Sequence, residues 1–159
     1  MPFEPMKDEI TQHIRRASTQ DGAAIANTYL RSTAKLGFLR RVHGPQSMWH
    51  HFTTLATRQE AWVAVVNQHI TGFIALKPGW IEHLYIHPRF QGRGAGHALL
   101  TIAKERATSD LRLWTFRQNK AALAFYRRHG FELARQTDGR TNEERMPDCL
   151  MVWQGTASE

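Results

Sequence analysis

Apolar positions recur along the chain at two spacings, and each spacing predicts its own kind of element. "HIRRAS" predicts a first short strand, and Asp21 opens a helix over "GAAIANTYLRSTAK" with its side chain placed to cap the N-terminus. "LGFLRRVHG" has no sustained period. Pro45 then stands at a favoured first helical position, and Met48, Phe52 and Leu55, with Trp49 and Ala56 beside them, repeat at helical spacing. "AWVAVV" and "HITGFIALK", separated around Asn67 and Gln68, predict an antiparallel hairpin, and "KPG" turns the chain into a third run, "WIEHLYI", stopped by Pro88. In "HALLTIAKERA", Leu99, Ile102, Ala103 and Ala107 share one helical face. "LRLWTF" is a strand, "NKAALAFYRRHG" a helix capped by Asn119 and stopped by Gly130, and "FELAR" and "CLMVW" are the final strands. A helix between "WIEHLYI" and "LRLWTF" makes those two strands parallel neighbours joined by a right-handed crossover. The order β-α-α-β-β-β-α-β-α-β-β describes an α/β (α+β) fold: a single mixed, mostly antiparallel sheet with helices on both faces.

The 159 residues, 42% apolar and without a repeat or linker, suit one domain over 1–159, with tails at about 1–10 and 154–159. No apolar run approaches the ~18 residues of a membrane span, so no membrane partner is expected. "MPFEPMKDEI" carries acids where a signal peptide needs an apolar region, which places the chain in the cytoplasm. The single cysteine, Cys149, lies in the apolar run "CLMVW" and reads as a buried thiol without chemistry.

Charge changes the picture through its location. Of the net +7, all seven arise between His87 and Arg128, where nine lysines and arginines face only Glu105 and Asp110. A region so charged suits a multiply anionic ligand. Nucleic acid is the other partner such a patch serves, but the sequence offers neither a basic helix with base-reading residues nor an aromatic platform, so none is expected.

At the centre of this region stands "QGRGAG", Gln91 to Gly96, between a strand and a helix. Glycines there either make a tight turn or open the backbone so that amides at a helix N-terminus meet an anion. A P-loop needs a lysine and a serine or threonine after the last glycine, where His97-Ala98 stands, and a dinucleotide fingerprint needs G-x-G-x-x-G opening a parallel unit. Neither fits. The pattern Q/R-x-x-G-x-G/A fits at every position, and "NKAALAFYRRHGF" matches N-x-x-A-x-x-F-Y-x-x-x-G-F through Asn119, Ala122, Phe125, Tyr126, Gly130 and Phe131. In these two segments, in this order, the chain resembles the GNAT superfamily of acyl-coenzyme A-dependent N-acyltransferases, from about Ala61 to Trp153.

The resemblance implies acetyl-CoA as co-substrate, no metal, and transfer of the acetyl group to a primary amine by direct attack in a ternary complex. It implies that "WIEHLYI" and "LRLWTF" splay apart, freeing backbone amides near Leu84, Tyr85 and Ile86 for the pantetheine arm. The amides of Gln91, Gly92, Arg93, Gly94, Ala95 and Gly96 then hold the pyrophosphate. Asn119 and Tyr126 join the cofactor side. Tyr126 is the candidate general acid, since a phenol of pKa ~10 is protonated at neutral pH and can donate to a thiolate; the other reading is a buried aromatic. Glu82 is the candidate general base, because Trp80, Glu82 and Leu84 share one face of a regular strand and the two neighbours are bulky and apolar. His83 and His87 lack metal-ligand spacing.

"TDGRTNEERMPD" resembles D-G-x-x-N-E-E-R-x-P-D in a set of such sequences, and its Asn142, Glu143 and Glu144, with His43, are the candidates for holding a small-molecule or peptide amine. Two rival functions are an acyl-CoA-binding module without turnover and a nucleic-acid-binding protein. A homodimer through a free final strand is a further expectation.

Overall fold

A computed structural model describes residues 12–155 of the chain. Strand β1 (Gln12–Arg16) and helices α1 (Gly22–Ala34), α2 (Pro45–Thr53) and α3 (Leu55–Arg58) lead into β2 (Glu60–Val66), β3 (His69–Lys77) and β4 (Trp80–Ile86). Helix α4 (Ala95–Arg106), β5 (Leu111–Phe116), α5 (Lys120–Arg128), β6 (Glu132–Gln136) and β7 (Asp148–Trp153) follow. The element order expected from the pattern holds, except that the helix begun at Pro45 breaks at Thr54 and resumes as the short α3. Of the expected tails, 1–10 and 156–159 lie outside the described residues, whereas Gly155 N donates to Asp110 Oδ1 at 3.0 Å.

The strands form one sheet in the order β1-β2-β3-β4-β5-β7-β6. Only β4 and β5 pair in parallel. The last strand, β7, inserts between β5 and β6, so the edge strands are β1 and β6, the latter exposed along its whole length, and the final strand is not the free edge that was expected. Asn67 and Gln68 turn the β2–β3 hairpin with positive φ of 48° and 67°, the handedness that a two-residue loop between twisted strands requires.

Strand β3 is apolar almost throughout because the sheet is covered on both sides. Phe73 and Ala75 join the core with Ile25 of α1 and Phe52 of α2, while Ile74 and Leu76 join Leu99 of α4 and Leu123 of α5. Helix α4 buries Ala95, Leu99, Leu100 and Ala103, so its inward face is centred between Leu99 and Ala103, and Ile102 is only half-buried. Trp49, expected inside, is 42% exposed, because α2 turns Phe52 inward in its place.

Asp21 does not cap α1. Its carboxylate pairs with Arg15 at 2.7 Å and accepts from Ser18 N at 2.8 Å, closing a 3₁₀ turn ahead of the helix. The Arg15 guanidinium outweighs burial and holds this carboxyl below its ordinary range.

Candidate functional site

The parallel pair β4 and β5 meets in register only at Trp80↔Arg112, and beyond that pair the strands part. The opening is the mouth of a cavity of about 800 Å³, bounded by residues 81–85 of β4, 113–116 of β5, helices α1, α2 and α5, and the β6–β7 loop. His87 N donates to Thr71 O on β3 at 2.7 Å. Backbone groups alternate sides along a strand, so Tyr85 also turns its amide to β3, while Leu84 and Ile86 turn theirs into the split. The Ile86 carbonyl, on that side, accepts from Ser32 Oγ at 2.7 Å and Gln91 Nε2 at 3.3 Å. Of the three expected amides, Leu84 and Ile86 therefore face the opening, and Tyr85 contributes its ring. Gln91 ties the glycine turn to the end of β4 through its side chain.

Glu82 lies in the cavity for a different reason from the one its sequence suggests. Ala75 pairs with His83 and Leu76 with Ile81, so Glu82 is the extra residue of a β-bulge. Ile81 and Leu84 consequently share one core, and Trp80 and Leu84 fall on opposite faces. The bulge sets Glu82 on the cavity lining, with its carboxylate turned toward β3. Its side chain is 29% exposed and meets Lys77 Nζ at 2.6 Å. Burial raises its carboxyl, but hydrogen bonds from Lys77 and Gln59 prevail and hold it below the ordinary range, so it is ionised at neutral pH.

The glycine turn takes the shape an anion site needs. Gly92 and Gly94 have φ of 75° and 86°, and a Cβ at either would meet nothing within 4 Å. Gly94 is the N-cap of α4 and brings no side chain to its first-turn amides, which therefore point outward with the positive end of the helix dipole. A diphosphate fits this donor set. Gly96 serves packing instead of approach to a ligand: a Cβ there would come 3.2 Å from the Phe125 ring of α5. The same contact is reinforced by histidines, since His129 Nδ1 donates to Phe125 O at 2.8 Å and its Nε2 faces His97 Nδ1 at 3.0 Å. Arg93 lies over the Phe90 ring, 5.5 Å from its centre, beside the turn.

Asn119 Oδ1 accepts from Ala122 N at 3.1 Å, the expected cap of α5, and the residue also borders the cavity. Two turns on, Tyr126 is 8% exposed and reaches the same cavity. Its hydroxyl has no hydrogen-bond partner among the described residues, and burial raises its pKa, so it keeps its proton at neutral pH.

The acceptor candidates divide. Asn142 Nδ2 donates to Met146 O at 2.7 Å and Asp148 Oδ2 at 3.1 Å while its Oδ1 accepts from Met146 N, so this side chain shapes the β6–β7 loop. Glu143 Oε2 lies 3.1 Å from His43 Nε2, joining that loop to the segment between α1 and α2. Glu144 is half-buried at the cavity wall. The pattern of the sequence gave no role to the aromatic lining: Tyr29 stacks on Phe52 at 4.0 Å between ring centres and meets Tyr85 edge-on at 5.1 Å. His83 packs against Phe52 at 5.0 Å, and burial lowers its pKa to about 4. Tyr29 follows Ile25 at helical spacing, the one signal that could have placed it on the sheet-facing side of α1.

Known proteins share this fold. Residues 57–133 match the acetyltransferase (GNAT) domain family. The uncharacterized N-acetyltransferase MJ1207 of Methanocaldococcus jannaschii is 34% identical over 99 residues, covering 52% of this chain and 44% of that protein. The chain thus spans less than half of that relative's length. In structure it is similar to YjaB of Escherichia coli, with a TM-score of 0.76, 23% identity, and coverage of 92% of this chain and 99% of the other. It is also similar to YncA, a putative acetyltransferase of Salmonella typhimurium solved with its cofactor acetyl-CoA, with a TM-score of 0.72, 20% identity, and coverage of 94% and 96%. At these identities the two structures speak for the fold.

Proposed function

We propose, from a chain whose residues 57–133 carry a GNAT acetyltransferase domain, that it transfers an acetyl group from acetyl-CoA to a primary amine by direct attack. The observation that carries this reading is the split between β4 and β5: the Leu84 and Ile86 amides turn into it, and Tyr126 and Glu82 line the cavity it opens into. Acetyl-CoA supplies the acyl group as a thioester. The amides of residues 92–96 bind its diphosphate, with Arg93 beside them adding charge. Leu84 and Ile86 donate to the arm and to the carbonyl, where fixed dipoles in a site shielded from water act most strongly. Glu82, ionised, accepts a proton from the acceptor's ammonium through a water, leaving the neutral nitrogen that attack requires. Tyr126 holds its proton at Oη and delivers it to the departing sulfur. The cytoplasmic setting expected from the acidic N-terminal segment belongs to the same proposal.

The test is release of free thiol from acetyl-CoA with a panel of primary amines. Tyr126→Phe is expected to lower kcat by roughly 10²–10⁴-fold and leave CoA affinity nearly unchanged, since only the proton donor is removed. A full-rate Tyr126→Phe protein would reduce Tyr126 to packing. Tight acetyl-CoA binding without thiol release for any amine would favour a binding module.

A further inference from the structure

The cavity wall carries different chemistry in different places. The Tyr126 hydroxyl, nine-tenths buried and without a protein partner among the described residues, lies where the proposed transfer has the sulfur depart. The β6–β7 loop brings Glu143 and Glu144 to the same cavity. Tyr29, Phe52 and Tyr85 give it an aromatic wall, and Tyr85 is near enough to feel the charges of both Tyr126 and Glu144.

Four carboxylates line this cavity, those of Glu82, Glu143, Glu144 and Asp148, and among the described residues no lysine or arginine does. Three of the four are engaged. Glu82 is paired with Lys77, Asp148 accepts from the Thr137 hydroxyl and Asn142, and Glu143 faces His43. Glu144 is half-buried and has no ion-pair partner among the described residues; its charge raises the phenols of Tyr29 and Tyr85, behind burial at both and against the Arg41 cation, which lowers Tyr29. A partly desolvated carboxylate on an aromatic wall is costly unless a cation meets it. That cation is not the reacting nitrogen. A carboxylate gripping the reacting amine would stabilise its ammonium and oppose the neutral form that attacks, whereas a charge set apart from the reacting nitrogen anchors the acceptor without that penalty.

Resting on the N-acetyl transfer reading, we infer that the acceptor is a dication: one amine reacts beside Tyr126 and Glu82, an apolar spacer lies along Tyr29, Phe52 and Tyr85, and a second cationic nitrogen is held by Glu144. Alkyl diamines are the simplest members of this class.

The experiment measures thiol release with α,ω-diaminoalkanes from three to six carbons against n-alkylamines of the same lengths. At least one diamine is expected to exceed its matched monoamine by tenfold or more in kcat/KM, the scale of a charge-assisted hydrogen bond in a partly buried site. Glu144→Gln preserves size and should collapse that ratio toward one by raising the diamine KM, while a CoA titration shows that the variant is folded. Glu143, 66% exposed, should matter less than fivefold when changed to glutamine. Equal rates for diamines and monoamines, or a diamine preference that survives Glu144→Gln, overturn the inference. Turnover of other amines but no diamine overturns it and spares acetyl transfer. No turnover of any amine in a protein that binds acetyl-CoA sinks both.

Discussion

His83→Phe isolates one enclosed group and gives a signed, measurable pH effect. In the folded protein burial between Phe52, Tyr85 and His51 lowers the imidazole pKa to about 4, against about 6.5 in an unfolded chain. The unfolded state therefore binds the proton first as pH falls, and stability is lost between about pH 6.5 and 4, with no contribution at higher pH. Between pH 7 and pH 4.5 that difference in proton binding is worth about 2 kcal/mol. Phenylalanine fits a ring site walled by aromatics and cannot take a proton. Urea unfolding followed by tryptophan fluorescence, run for both proteins at both pH values, cancels the carboxylates they share. The wild type should lose about 2 kcal/mol more than His83→Phe over this range. Identical losses would mean that His83 titrates at its ordinary value and that the cavity wall around it is open to water.

Two further substitutions separate the shape of a turn from its contacts. Gly94→Val should fold, because a Cβ there meets nothing within 4 Å, at a cost of about 1–2 kcal/mol for a left-handed residue; CoA affinity by isothermal titration should fall tenfold or more, and unchanged affinity would remove the turn from the site. Gly139→Ala is expected to be worse for stability and indifferent to the cofactor turn, since φ is +85° and the new methyl overlaps the Met146 backbone. Strain and overpacking together come to about 2–5 kcal/mol, read as a lowered urea midpoint, and a midpoint within error of wild type would refute the packing of the β6–β7 loop.

Elements with a strong period were legible in the sequence, and departures from a period were not. The apolar run "HITGFIALK" gave β3, and the glycine turn and the Asn119 cap stood where the pattern put them. The bulge at Glu82 leaves no mark in "WIEHLYI", because inserting one residue in a mostly apolar strand yields another mostly apolar strand. Glu82 lines the cavity, but for a different reason from the one its sequence suggests. Asp21 had the right identity for a cap, but a guanidinium six residues earlier competed for it and prevailed. The His43–Glu143 contact and the insertion of β7 between β5 and β6 depend on how distant segments close in space, which local spacing does not encode.

The parting of β4 from β5 has one more consequence. Unpaired strand edges are a hazard elsewhere, since their free amides and carbonyls template the addition of foreign chains and so seed aggregates. Here two such edges are kept apart on purpose, yet they lie within a recess roofed by α1, α2 and α5, where another protein's strand has no straight path to reach them. The chain thus keeps a stretch of sheet permanently unfinished without becoming sticky. The edges left for other proteins are β1 and β6, at the two ends of the sheet, so self-association through either and occupancy of the recess draw on different backbone and need not compete.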